Sequence, residues 1–379
     1  MPLGRGYAKI NFMMYDVGLL RVDHEQGVIP MKIFLTTVQI PFITGGAEFL
    51  AKNLKDALIE RGHETEIVTI PFMDSPPELI EDHILAARML DVRAAWSGEA
   101  DLCIGLKFPA YLMPHPNKVI WALHQHRSAY DLFDTEYSNL KDNEEGNYYR
   151  GVVKNADDCY LHESKRIYAI SNNVVNRMMQ YNKISATPLY PPCPDMDKFY
   201  CGEYNDYILM PSRINISKRQ LLAIEALAQT KSNIKLYIVG KADHPFERER
   251  MMLLIQEKKL QDRVRYFDFV SQEEKFKLYA HAKAVLFIPI DEDYGYITLE
   301  AMSSSKMVIT ALDSGGPLEF IENGINGYTV PPTAEGIAEA IDAVAASKAM
   351  AKEFGRKARR RIREMNITWD QVEKELTKP

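Results

Sequence analysis

Two glutamates, Glu292 and Glu300, stand with seven residues between them in the stretch DEDYGYITLEAM, Asp291 to Met302. Paired carboxylates are acceptors for the hydroxyls of a sugar or a ribose. Between them come Gly295 and then Tyr296, Ile297 and Thr298, where a helical pattern begins. The first N–H groups of a helix have no partner inside it and lie at its positive end, so they favour an anion such as a phosphate. Glu292 on the turn and Glu300 about one helical turn in can face one crevice. A phosphate on the amides with carboxylates on either side suits a nucleotide sugar. The alternative is a solvated acidic turn before a core helix.

Two further groups carry the right charge. Arg213 and Lys218 flank the segment between an apolar run, Tyr207 to Met210, and a helical pattern with Leu221, Leu222, Ile224 and Leu227. Cations meeting at a strand end suit a diphosphate, Arg as a fork and Lys as a point charge. They read equally as two surface cations beside a helix. His124 and His126 follow the apolar run Lys118 to Leu123. The C-terminal ends of strands are where open α/β sheets bind ligands, although loop histidines with local hydrogen bonds would look the same. Gly45-Gly46, after the run Ile33 to Thr37, lets backbone approach a ligand or merely makes a turn. It is not the G-x-G-x-x-G fingerprint, so no dinucleotide is expected.

These residues need rigid carriers, and the chain alternates strand and helix patterns throughout. Ala284 to Ile290 is a seven-residue apolar run, read as a buried strand leading to Glu292. Ile33 to Thr37, the helical spacing from Ala47 to Glu60, and Thr65 to Ile70 make a β-α-β unit, hence a parallel sheet with a right-handed crossover. On the helix, Phe49, Leu50, Leu54, Leu58 and Ile59 are expected on one face, with Gly62 at the C-terminal end. A helix is expected over 152–166, a strand over 167–170, and Ser171-Asn172-Asn173 as the N-cap run of the next helix. Prolines crowd Pro188 to Asn205, so the domain linker is placed there.

The chain has 379 residues, enough for two domains with their own cores. Its 46% hydrophobic and 26% charged content is that of an ordinary soluble protein. A net charge of −6 and a pI near 5.9 argue against nucleic acid as a partner. The basic run from Arg356 to Arg363 lacks interleaved aromatics. It reads as a solvated face, with contact to acidic lipid head groups as the alternative. No stretch has the roughly 18–20 apolar residues of a membrane span. The four cysteines show no CxxC spacing, and the Cys159/His162 pair has no second half, so no zinc site is expected and the thiols read as reduced and cytoplasmic. Two D-x-D triplets, Asp195-Met196-Asp197 and Asp291-Glu292-Asp293, are read as non-metal segments.

The block from Glu292 through Tyr294-Gly295 to Leu299-Glu300-Ala301-Met302, directly behind a buried strand, resembles the signature of the family-4 retaining glycosyltransferases, which have the GT-B fold. The resemblance covers about residues 31–379 and is closest over 207–332. It implies an α/β protein of two Rossmann-like domains facing across a cleft, with a C-terminal helix crossing back to the first domain. The expected layout is an N-terminal extension (1–30), an acceptor domain (31–200), a nucleotide-sugar domain (201–365) and the crossover helix (366–379). Arg213 and Lys218 match the family's phosphate-binding pair and His124 its donor-sugar histidine, with His126 as second choice. Gly46 falls in the family's first loop, the base is placed near Val270, and Asp313 to Glu319 resembles the Gly-Gly-x-x-Glu turn. The implied catalytic set is Glu292, Arg213, Lys218 and His124. The implied donor contacts are Gly46, Val270, Gly295, Tyr296, Ile297, Thr298 and Glu300. The implied reaction moves a sugar from a nucleoside-diphosphate sugar to a glycan, lipid-linked or small-molecule acceptor, with retention and without a metal or other cofactor. The location implied is cytoplasmic, with peripheral contact at the inner face of a membrane as a variant. A nucleotide-sugar epimerase on the same scaffold, or a silent sugar-nucleotide-binding subunit, are the competing readings.

Overall fold

The computed structural model describes residues 29–40, 45–95 and 98–379. The extension expected over 1–30 lies, but for its last two residues, outside them. In the first half, β1 (Lys32–Gln39), α1 (Gly46–Glu60), β2 (Glu64–Pro71) and α2 (Leu79–Met89) come first. A small hairpin follows, β3 (Ala94–Ala95) and β4 (Gly98–Glu99). Then come β5 (Leu102–Gly105), β6 (Lys118–Ala122), α3 (Glu144–Tyr160), β7 (Arg166–Ala169), α4 (Asn172–Asn182) and β8 (Thr187–Pro188). The second half runs β9 (Tyr207–Pro211), α5 (Gln220–Gln229), β10 (Lys235–Val239), α6 (Pro245–Glu257), β11 (Val264–Phe267) and α7 (Gln272–His281). It continues through β12 (Ala284–Leu286), α8 (Tyr296–Ser303), β13 (Val308–Ala311), β14 (Gly327–Val330), α9 (Ala334–Ala346), α10 (Lys348–Glu364) and α11 (Trp369–Leu376).

Two six-stranded sheets result, ordered β2-β1-β5-β6-β7-β8 and β11-β10-β9-β12-β13-β14, and every strand pair within them is parallel. Central strands of such sheets are covered on both faces, so their sequences are continuously apolar rather than alternating. LCIG in β5, KVIWA in β6 and AVL in β12 are buried at every position.

Several boundaries differ from the sequence reading. The strand before the signature ends at Leu286, not Ile290. Phe287 still donates to the Ile309 carbonyl (2.9 Å), and Ile290 N–H turns to the Ser217 carbonyl (2.8 Å), so the chain leaves the ladder to meet another loop. On α1, Phe49 and Ile59 are exposed, while Ala51 and Ala57 join Leu50, Leu54 and Leu58 in the core. The buried stripe is narrower than apolar spacing suggested. α3 begins eight residues earlier than expected because Asn143 caps it, its side chain accepting from Gly146 N–H (2.8 Å). α2 has no counterpart in the sequence reading.

The last helix returns to the first sheet. Trp369 meets Trp121 of β6 edge-on (6.4 Å between centroids), Arg61 pairs with Asp370, and the Tyr168 hydroxyl donates to the Glu375 carbonyl (3.0 Å). Among the described residues no helix is long and apolar enough to cross a membrane.

Candidate active site between the two sheets

The segment after β12 is fixed before any ligand arrives. Asp291 N–H donates to the Asp313 carbonyl (2.9 Å) and Glu292 N–H to the Ser314 carbonyl (2.9 Å), while Gly316 N–H returns to the Glu292 carbonyl (2.7 Å). The carboxylate of Glu292 meets the ammonium of Lys218. Lys218 ends a 3-10 turn, Ile216–Lys218, whose cap Asn215 accepts from Lys218 N–H (3.1 Å). Glu300 lies a turn into α8 and is nearly buried. One oxygen takes Lys275 (2.5 Å) and the other the Tyr279 hydroxyl (2.5 Å), both from α7.

Gly295 makes the turn into α8 with φ 91° and ψ 66°, the left-handed region in which a side chain is strained. Of the three amides expected to be free, Thr298 is not: it donates to the Gly295 carbonyl (2.9 Å). The turn tightens to a 3-10 bond and uses it. Tyr296 and Ile297 N–H have no acceptor among the described residues, so two donors remain at the helix end.

Arg213 and Lys218 do not converge. Arg213 is exposed and donates to Asp243 (3.1 Å), while Lys218 faces Glu292. Each cation has taken the nearest carboxylate. Arg219, not singled out in the sequence, makes a two-pronged contact with Asp313 (2.7 and 2.5 Å) at the same loop. Val270 lies three residues past β11, half-buried against the core. Gly46 is the first residue of α1, and a Cβ built on it meets no atom of the described residues within 4 Å. Residues 41–44 before it are outside the described residues.

From the first sheet, His124 follows β6. Its Nδ1 donates to the Gln125 carbonyl (2.6 Å), which leaves Nε2 as a lone-pair acceptor on a neutral ring. Burial pushes its pKa down, and the Asp293 carboxylate opposes the shift. The loop is held from beneath by Asp157, which accepts from the Tyr111 hydroxyl (2.9 Å) and the Tyr130 hydroxyl (2.7 Å). Burial raises that carboxyl to about 7 against those two donors. His124, His126, Lys107, Asp74 and Phe72 line a cavity of about 260 Å³ at the strand ends. His126 is packed between Phe72 and Phe108, its Nε2 has no partner, and burial pushes its pKa down to about 3.

That depression has a signed consequence. The unfolded chain binds a proton at His126 below its ordinary pKa of about 6.5, and the folded chain does so only near 3. His126 therefore costs stability as the pH falls between those values. Asp157 acts oppositely, since a raised carboxyl loses its contribution as the pH rises toward 7. His126→Phe should consequently lose on the order of 2–3 kcal/mol less than wild type between pH 7 and pH 4. Urea unfolding of both proteins at the two pH values checks this, and equal losses would refute it.

The first D-x-D triplet has one paired carboxylate and one exposed one, Asp197, and the second has both of its aspartates paired. Asp195 pairs with Lys198 (2.7 Å). Asp291 and Asp293 are taken by Arg127 of the first half (3.0 and 3.5 Å), and Asp293 also by Arg177 of α4 (2.5 Å). Burial alone would raise Asp293, but Arg177 and Arg127 outweigh it and hold the carboxyl far below the usual range. Among the described residues no group of three or more potential ligands could hold a metal ion. Arg177, Lys275 and Tyr279, on helices, and Lys107, in the loop after β5, carried no local signal in the sequence, because each meets the site only through the packing of separate segments.

Two parallel six-stranded sheets with a cleft between their strand ends and a returning C-terminal helix define the class: the GT-B fold. Residues 201–361 match the family model described as Glycosyl transferases group 1. Over 170 residues the chain is 27% identical to human alpha-1,3/1,6-mannosyltransferase, a match spanning 41% of this chain and 41% of that enzyme's length. Among solved structures, sucrose-phosphate synthase from Thermosynechococcus elongatus superposes with a TM-score of 0.72 at 18% identity, covering 90% of this chain and 96% of that one. The Anabaena protein HepE in complex with UDP-glucose superposes with a TM-score of 0.66 at 17% identity, covering 91% and 98%.

Proposed function

We propose that this protein is a glycosyltransferase that moves a sugar from a nucleoside-diphosphate sugar to a hydroxyl of an acceptor, with retention at the anomeric carbon and without a metal. The observation that carries the reading is the signature loop. Glu292 and Glu300 stand at the two ends of a helix entry whose Tyr296 and Ile297 amides are unpartnered, with Lys218 beside Glu292. The human relative is named a mannosyltransferase and the Anabaena neighbour was solved with UDP-glucose, which supports a nucleotide-sugar donor.

In this reading the nucleotide lies on the second domain. Glu300 accepts from the ribose hydroxyls, since its position is held by Lys275 and Tyr279. The base sits near Val270. The diphosphate lies on the two free amides and Lys218, with Arg213 released from its exposed pair to join. Glu292 takes hydroxyls of the transferred sugar, and the neutral Nε2 of His124 accepts another from across the cleft. The acceptor, a glycan, a lipid-linked sugar or a small molecule, enters from the first domain by Gly46. Its hydroxyl oxygen bonds to the anomeric carbon on the face from which the diphosphate oxygen departs, and its proton passes to that oxygen. The charge growing on the leaving oxygen is met by fixed donors already in place, and in a site screened from water such preorganised donors do most to lower the barrier. Asp291 and Asp293 are committed to arginines, so no metal is assigned to the diphosphate.

The test is a thermal-shift panel of UDP, GDP, ADP, CDP and TDP with chelator present, on wild type and Glu300→Ala. One nucleotide at about 100 times its dissociation constant should stabilise by about 2.7 kcal/mol, and the mutant should lose that gain. No response to any nucleotide would count against a donor site on the second domain. Product formed from donor alone would favour an epimerase instead.

A further inference from the structure

We propose that the first two turns of α4, in the first domain, are a clamp that positions Glu292 for transfer, with Glu319 of the second domain as its anchor. Asn173, Arg177 and Glu319 are positioning residues, not groups that touch the substrate. The proposal rests on the glycosyltransferase reading above.

The contacts all point one way. Helix N-termini have unpaired amides and favour a negative charge. At α4 that charge is the carboxylate of Glu319. One oxygen accepts from Asn173 N–H (2.9 Å), and the other accepts from Asn172 N–H (3.0 Å), Asn172 Nδ2 (3.0 Å) and the Tyr190 hydroxyl (2.7 Å). Both carboxylate oxygens are thereby used on the other domain. From the same helix end, Asn173 Nδ2 donates to Asp291 (2.7 Å) and to the backbone carbonyl of Glu292 itself (3.0 Å). The Ser171 hydroxyl donates to the Asp293 carbonyl (2.5 Å), and Arg177 reaches the Asp293 carboxylate one turn further along. Glu292 is thus held through its neighbours on both sides and through its own carbonyl. The same carbonyl accepts from Gly316 N–H in the second domain, so its place depends on both domains meeting.

The physical reason for such a clamp lies in reach. The donor contacts assigned to Glu300, Lys218 and the α8 amides belong to the second domain and bind a nucleotide whatever the first domain does. The sugar contact of Glu292 is different. Its loop has second-domain backbone bonds of its own, but it gains the bonds from Asn173, Ser171 and Arg177 only when α4 is docked. Binding of nucleotide and placement of the sugar are therefore separable, and loosening the clamp removes the second while leaving the first.

The experiment compares wild type with Glu319→Gln, Glu319→Ala and Asn173→Ala in transfer assays, nucleotide thermal shifts and amide hydrogen exchange. Glu319→Ala and Asn173→Ala should lower kcat on the order of 10- to 100-fold, as misplacement of a reacting group does. The KM for donor and the nucleotide-induced shift should stay at wild-type values. Exchange at residues 172–174 and 291–293 should quicken. Glu319→Gln keeps one acceptor oxygen and should recover part of kcat. A parallel fall in nucleotide affinity, or an unchanged kcat in Glu319→Ala and Asn173→Ala, would overturn the proposal. If wild type itself binds no nucleotide, the glycosyltransferase reading fails. The docking of Glu319 is then judged by exchange alone, and unchanged exchange in Glu319→Ala would overturn that too.

Discussion

Lys218→Ala should lower kcat by about 10²- to 10³-fold while the protein stays folded, the loss seen when one preorganised donor to a developing charge is removed. Lys218 ends a short capped turn, is largely screened from solvent, and has its ammonium on Glu292 and 5.8 Å from the Phe287 ring centroid. Such a cation costs nothing to orient at the moment of bond breaking. Its removal also leaves Glu292 unpaired, so the sugar-binding carboxylate loses its partner along with the phosphate. Glu292→Ala should abolish transfer for the complementary reason, since the hydroxyl contact disappears and Lys218 loses its rest position. Circular dichroism and melting curves establish that each variant is folded, and initial rates then decide. Near wild-type kcat in either would remove that residue from the site.

Gly315→Ala should damage both the stability of the second domain and the signature loop. Gly315 has φ 69° and ψ −123°, a region essentially closed to residues with a side chain. A Cβ there would lie 2.5 Å from Asn173 Nδ2, 2.6 Å from the Glu292 carbonyl oxygen and 2.8 Å from Asp291 Oδ1. Backbone strain of about 1–3 kcal/mol adds to displacement of three groups that hold the signature loop. We expect a loss of about 3 kcal/mol or more and no measurable transfer. Gly324→Ala is the control. It too has a positive φ, 73°, but its Cβ would meet nothing within 4 Å. It should lose only about 1 kcal/mol and keep its activity. Equal losses at the two positions, measured by denaturant unfolding, would show that conformation alone sets the cost and that crowding at Gly315 contributes nothing.

The strands and the signature were legible because they are local patterns. A buried parallel strand is continuously apolar, and a Gly-containing turn into a helix leaves its mark within ten residues. The α4 cap was readable for the same reason, as Ser171 accepts from Val174 N–H (3.1 Å). What escaped depends on distance along the chain. Nothing near Arg177 says that its partner is Asp293, 116 positions away. Nothing near Glu300 says that α7 supplies Lys275 and Tyr279. The separation of Arg213 from Lys218 was equally hidden, because spacing in sequence does not say which carboxylate each cation finds first. The amide of Thr298 was misjudged because the first turn of α8 tightens, a detail set by the positive φ of Gly295.

The returning helix α11 also bears on how the chain is made. Its docking face, Trp369 on Trp121 and Glu375 on Tyr168, completes the surface of a sheet whose last strand, β8, ends ~180 residues earlier. At the usual 5–20 residues per second, roughly 10–40 s of translation separate the two. During that interval the nascent first domain presents Trp121 and its neighbours uncovered outside the ribosome, a natural hold for a chaperone. A fragment cut at the linker would carry the same bare face, so expressing the first domain alone calls for α11 to be spliced back to it.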